Sequence, residues 1–210
     1  MRLFCCQAQS SAIVPSTIPS FSIVADSSTA TGLKWAAAGG GGDFVKVASG
    51  TFTATGGLNI DNVFTSTYDN YFAYVNFTGS SSTATLEFTW RIGSTSGTSA
   101  AYYSSGFAYD RSNALSTFGT IGGVEAQITG QIGVASNSFN NLNMYFEGVG
   151  VSGTDLAHLW GQSRFGNSQS TGLFSAIYGP GTGGVNYNGF ALFPSAGNIT
   201  GNYVIYGLVK

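Results

Sequence analysis

From residue 43 onward the chain alternates short hydrophobic runs of period two with clusters of glycine, serine and threonine. The cleanest run spans residues 85–92. Leu86, Phe88, Trp90 and Ile92 share one parity; Thr85, Glu87, Thr89 and Arg91 share the other. That pattern predicts a strand with one buried face and one wet face. On the wet face Glu87, Thr89 and Arg91 are placed to pair across strands. Residues 71–77 are apolar on both parities, as a central strand requires. Leu142, Met144 and Phe146 alternate with Asn141, Asn143, Tyr145 and Glu147. In the last run, Val204, Tyr206 and Leu208 stand against Tyr203, Ile205 and Val209. Further strands are expected near 44–54, 101–109, 125–134, 156–164, 172–178 and 188–193.

Turn-forming clusters separate these runs at 79–82, 93–97, 150–153 and 179–184. No segment has a helical period and no fixed repeat recurs, which excludes a propeller or solenoid. About ten short strands at this spacing predict an all-β fold, an antiparallel β-sandwich or jelly roll.

The first thirty or so residues differ. They are rich in Ser, Thr, Ala and Val, and Pro15 and Pro19 are expected to break any regular element. Residues 39–42 are four consecutive glycines, a flexible joint. The expected organisation is an extended N-terminal attachment arm at 1–38, a glycine linker at 39–42 and a β-sandwich domain at 43–210. Trp35 stands beside the joint, where a large aromatic needs something to dock on. Leu33 and Trp35 are therefore candidate assembly contacts, on an arm that orders when it binds.

Composition narrows the function. Charged residues make up 8% of the 210, against about 25% in ordinary soluble domains. Gly, Ser, Thr and Asn take their place, with 31 glycines and 14% aromatics. So sparse a charge fits a surface covered by neighbouring subunits or meeting neutral partners such as glycans. The basic residues Arg2, Lys34, Lys46, Arg91, Arg111, Arg164 and Lys210 are scattered singly and net charge is −2, so nucleic-acid binding is not expected. No run reaches the length of a membrane span, and membrane insertion is not expected. Cys5 and Cys6 are adjacent, a strained geometry for a mutual disulfide. Lipid attachment at either is the less favoured reading, because no apolar run of signal-peptide length is present. Export by lysis rather than secretion is expected.

Few residues suggest chemistry. His158 is the single histidine and reads as a partly buried strand residue, since one histidine makes neither a triad nor a metal cluster. Asp61, Asp69 and Asp110 lie in turns, but without the spacing of a calcium loop. Asp69, Asp110, Glu125, Glu147 and Asp155 could pair for glycan hydrolysis, yet nine acids always offer some pair. The glycine-rich stretches at 119–123 and 179–184 lack a phosphate-loop ending and read as turns. The expectation is no catalytic residues, no metal and no cofactor.

The aromatic residues carry the functional signal. Tyr102, Tyr103, Tyr109, Trp160, Tyr178 and Tyr187 lie near predicted loop ends. Aromatic faces stack on sugar rings, and neighbours such as Asp110, Asn186 and Asn188 can bind hydroxyls. Tyr102, Tyr103, Tyr109, Asp110, Trp160, Tyr178 and Tyr187 are thus candidate glycan or receptor contacts. The competing reading places each aromatic in the core or at a subunit interface.

Residues 29–42, with Thr31-Gly32-Leu33-Lys34-Trp35 and then the Ala/Gly stretch, resemble a junction in phage tail-fibre and minor virion proteins that precedes a C-terminal β-domain. Phe44-Val45-Lys46-Val47-Ala48-Ser49-Gly50 looks like the first strand of that domain, and residues 198–210 are similar to its last. The resemblance implies a virion surface protein, made in the host cytoplasm, usually a homotrimer, bound to other virion proteins through its arm. The arm here lacks the long stalk common in such proteins, which places the domain close to the particle. The expected role is a short tail fibre or tail tip in host adsorption, binding a host surface glycan. Capsid decoration is the alternative, and a free lectin-like carbohydrate-binding module is the alternative of another class.

Overall fold

The computed structural model describes residues 21–25, 33–37, 44–81, 84–97, 101–132, 140–149, 157–166, 170–178 and 187–208. Cys5, Cys6, Pro15, Pro19, the glycines at 39–42, Asp155, Asn186 and the turn at 179–184 lie outside the described residues. The chain divides into two compact units, Met1–Gly42 and Asp43–Lys210.

In the first unit β1 (Phe21–Ala25) and β2 (Leu33–Ala37) form an antiparallel ladder, with Ile23 opposite Trp35 and Ala25 opposite Leu33. The arm thus contains a regular element where its prolines predicted none. Both prolines precede Phe21, so every donor the ladder needs is intact.

The second unit holds β3 (Phe44–Thr55), β4 (Leu58–Ile60), β5 (Asn70–Gly79), β6 (Leu86–Ile92), β7 (Thr95–Ser96) and β8 (Tyr102–Tyr109). It continues with β9 (Leu115–Gly123), β10 (Ala126–Gln127), β11 (Asn140–Glu147), β12 (Ala157–Phe165), β13 (Ser170–Tyr178), β14 (Gly189–Pro194) and β15 (Ile199–Leu208). No helix occurs among the described residues. The protein is all-β, and its sheets are antiparallel and arranged as a sandwich. A large eight-stranded sheet runs β3-β15-β5-β11-β12-β13-β8-β9. A small five-stranded sheet runs β10-β6-β14-β4, with β7 beside β6.

The core follows from alternation. Tyr71, Ala73, Val75 and Phe77 of β5 and Leu142, Met144 and Phe146 of β11 are buried. They join Leu86, Phe88 and Trp90 of β6 and Phe190 and Leu192 of β14 in one hydrophobic cluster. At its centre Phe64, from the loop after β4, packs on Phe146 at 5.0 Å, Phe190 at 5.9 Å and Trp90 at 6.2 Å between ring centroids. Tilted and stacked pairs of this kind add to area burial.

The expected wet face of β6 is not wet. Glu87, Thr89 and Arg91 are all buried, and Ile92 is exposed instead. Arg91 pairs across to β7 and also reaches beyond the sheet. Its Nε donates to Asp61 Oδ1 at 2.6 Å and its Nη1 to Ser96 Oγ at 2.9 Å, while Nη2 donates to the Ser94 carbonyl. The guanidinium therefore ties the loop after β4 to the β6–β7 turn.

The segment expected as a strand at 125–134 is only Ala126–Gln127. Beyond it the chain follows β6 by separate bonds, Ile128 N to Leu86 O at 3.0 Å and Ile132 N to Ala84 O at 2.8 Å. Strand β9 went unanticipated, because its glycines and hydroxyl residues read as a loop. It is an edge strand paired only with β8, so it needs little buried surface.

Candidate functional site

The outward side of the large sheet is where side chains gather. On β11 the outward residues are Asn143, Tyr145 and Glu147; on β12 they are His158, Trp160, Gln162 and Arg164. Register sets Phe72 opposite Tyr145, Tyr145 opposite Trp160, Trp160 opposite Ser175, and Ser175 opposite Ser105. One row across the sheet therefore passes from aromatic rings to small hydroxyls.

The rings touch. Trp160 stacks on Tyr145 at 4.3 Å with an interplanar angle of 12°, and Tyr145 meets Phe72 at 5.0 Å. Phe44, Phe72, Tyr145 and Tyr206 surround an apolar depression of about 250 Å³ near the β3 edge. The close approach of β11 and β12 depends on Gly161, where an added Cβ would lie 2.0 Å from the Asn143 carbonyl oxygen.

Beside this stack four polar groups are linked. Trp160 Nε1 donates to Glu147 Oε1 at 2.9 Å. His158 Nδ1 lies 3.2 Å from Glu147 Oε2, and His158 Nε2 lies 2.9 Å from Ser175 Oγ. The Trp160 hydrogen bond, and after it His158, hold the Glu147 carboxyl below its ordinary range. Three adjacent strands position these groups, so the indole and the imidazole are fixed without a loop.

Carboxylate, imidazole and hydroxyl stand in the order of a proton relay. An acyl-transfer site also needs donors for the oxyanion. Ser175 lies inside a ladder, between Trp160 on one side and Ser105 on the other. Its neighbouring backbone donors belong to that ladder rather than to an oxyanion hole. The arrangement is suited to holding a ring and hydroxyls in place.

The sequence candidates separate into two sets. Tyr103 (48% exposed), Tyr109 and Trp160 (39%) present surface to solvent. Tyr102, Tyr178 and Tyr187 are buried and offer no ring to a ligand. Tyr102 stacks on Tyr178 at 4.2 Å, and Tyr178 meets Tyr187 edge-on at 5.8 Å. The Tyr102 hydroxyl accepts from Trp90 N at 2.8 Å and donates to Gly97 O at 3.0 Å. Burial raises the Tyr102 phenol and pushes Tyr187 up to about 12. For these three the core reading applies.

Asp110 shapes its own turn between β8 and β9. Its Oδ1 accepts from Ser112 N at 2.8 Å, Ser112 Oγ at 2.6 Å and Ala114 N at 2.9 Å. Those bonds, Ser112's first, lower its carboxyl. Asn188 is likewise committed, accepting from Gly93 N at 2.9 Å and donating to Asn62 Oδ1 at 2.7 Å. Asp61 binds Arg91. Among the described residues no group of three or more His, Cys, Asp and Glu could hold a metal ion.

Glu147 and Ser175 are the site residues that single-residue reasoning missed as partners of His158. The signal was available: Glu147 shares parity with Tyr145, His158 shares parity with Trp160, and consecutive antiparallel strands bring the two ends together.

The fold defines this unit as an antiparallel β-sandwich with an aromatic and polar sheet face. No family model matches the chain, and no curated protein matches it. Among solved structures it is similar to a fructofuranosidase from Schwanniomyces occidentalis complexed with fructose. That likeness has a TM-score of 0.26 and 6% identity, over 90% of this chain and 40% of that one. The chain spans less than half the length of that protein, and a likeness at this level carries no argument about fold or activity.

Proposed function

We propose that this chain is a structural protein of a bacteriophage particle and that its β-sandwich unit serves host adsorption, as a short tail fibre or tail tip that binds a surface glycan without catalysis. The supporting observation is the outward side of the large sheet. Trp160, Tyr103 and Tyr109 project there from strands rather than loops, with Glu147 and His158 bonded beside Trp160. A rigid face loses little entropy on binding, and a sparsely charged one suits an uncharged partner. The phage setting comes from the resemblance of residues 29–50 and 198–210 to virion proteins. In this reading the first unit, with Leu33 and Trp35, joins the chain to other virion proteins, and the chain is a homotrimer.

Capsid decoration is the second reading. It is favoured by the apolar corner of β8, β9 and β13, where Phe107, Tyr109, Leu115 and Leu173 are exposed together. Such a corner suits a neighbouring protein surface.

Labelling the second unit on intact particles and imaging them separates the readings. Label at the tail tip is the expected result. Label spread evenly over the head supports decoration. Particles without label overturn both and leave a free carbohydrate-binding module.

A further inference from the structure

We infer that the outward side of the large sheet holds a subsite for a neutral pyranose glycan, in the trough that runs from the Trp160 indole across β13 and β8 to β9. This deepens the adsorption reading and rests on it.

The trough has a ring wall at one end. Tyr145 covers one face of the Trp160 indole at 4.3 Å. On the other side the next outward residues are small, Ser175 and then Ser105. The second indole face is therefore open along the sheet. Ile177, Tyr103 and Ile121 line one flank and Leu173 and Phe107 the other, since they occupy the outward positions two residues away on the same strands. A depression of about 250 Å³ lies among Tyr103, Ser105, Thr120, Ile121, Ser175 and Ile177. From β12 to β9 the trough spans three inter-strand steps, about 14 Å, which suits a short oligosaccharide rather than a single small ion.

The chemistry selects the ligand. A pyranose presents an apolar C–H face and a rim of hydroxyls. The apolar face matches the indole, and the hydroxyls match Glu147, His158 and Ser175. Glu147 is locked by Trp160 at 2.9 Å and His158 at 3.2 Å, yet its side chain keeps 49% exposure, so lone pairs remain for a ligand. With its carboxyl held low, Glu147 is anionic at neutral pH. Arg164, the other charge on β12's outward side, is four residues from Trp160, about 13 Å along the strand. A uronic or sulfated sugar would meet the carboxylate with no nearby arginine to offset it. A neutral sugar meets no such penalty.

The test is titration of the full chain with cellotriose, mannotriose and galactotriose as neutral probes and trigalacturonate as the anionic probe, followed by tryptophan fluorescence and calorimetry. At least one neutral trisaccharide is expected to bind and to outcompete trigalacturonate. Trp160→Ala is expected to weaken it about tenfold or more, while Trp160→Phe, which keeps a ring, recovers part of the loss. Ser105→Leu fills the trough from an exposed position and is expected to abolish binding with the melting curve unchanged. Preference for trigalacturonate, or binding indifferent to both Trp160→Ala and Ser105→Leu, overturns the subsite. If no probe binds while the chain still blocks phage adsorption, the subsite falls and the adsorption reading stands. If neither occurs, both fall.

Discussion

In β6 the polar residues Glu87, Thr89 and Arg91 are buried, and in β12 His158, Trp160, Gln162 and Arg164 stand on the solvent side. The two strands share the same two-residue alternation in sequence. In β6 the two charged residues are consumed by the fold: Arg91 binds Asp61, Ser96 and Ser94, and Glu87 takes the Thr85 hydroxyl at 2.6 Å. In β12 His158 and Trp160 bind the outward-facing Glu147 and Ser175 and keep exposed surface. Alternation reports which residues share a face. It does not report whether that face is covered, because coverage is decided by segments distant in sequence.

The contrast gives a graded set of expectations. The largest effect belongs to Arg91→Ala, which leaves Asp61 without its guanidinium and frees the β6–β7 turn. Breaking this half-buried pair together with its bonds to Ser94 and Ser96 costs about 2 kcal/mol, read as a lower denaturation midpoint with glycan binding unchanged in the protein that remains folded. Equal stability in the variant would mean that β6 is not held as described.

Trp160→Ala reverses the pattern. It removes the stack on Tyr145 and the bond to Glu147, a loss of about 1 kcal/mol in stability, and its main effect is on adsorption. A smaller change follows Glu147→Gln. The folded-state carboxyl lies below its unfolded value, so its stabilisation is present above the ordinary carboxylate range and lost as pH falls through the folded value. Half exposure screens this to under about 1 kcal/mol, so the variant should show a flatter acid limb in melting temperature against pH.

The smallest effect is of opposite sign. Burial, first, and the charge of Glu125 raise the Glu87 carboxyl. Its ionised form therefore opposes folding at neutral pH, and stability rises as pH falls through the raised folded value. Glu87→Gln keeps an acceptor for Thr85 and removes the charge, so the melting temperature at pH 7 should rise slightly. A fall would show that the charge is stabilising.

Much of the sandwich was readable from sequence, and the site only in part. The inward residues of β11 are apolar at every second position, so that strand emerged with its correct faces, whereas β5, apolar on both parities, was legible as a central strand without a face being assigned. Strand β9 did not, since an edge strand of glycine, serine and threonine has no buried side from which a period could arise. Trp160 was legible as a ring near a loop end, although it stands within β12. Tyr102, Tyr178 and Tyr187 share their residue type with the exposed Tyr103 and Tyr109 yet are core; the Tyr102 hydroxyl finds backbone partners there, so a tyrosine is as well placed inside as outside. The link from Glu147 through His158 to Ser175 joins three strands, and such a link emerges only once register is known.

The central claim is that the outward side of the large sheet is the adsorption surface. The most direct measurement is competition: purified full chain, wild type and Trp160→Ala, added to host cells before the phage to which the proposal assigns it. Wild-type protein should slow adsorption in proportion to its concentration, and Trp160→Ala, shown by its melting curve to be folded at the assay temperature, should not. Equal competition by the two proteins would contradict the assignment of that face, and no competition by either would contradict a role in adsorption.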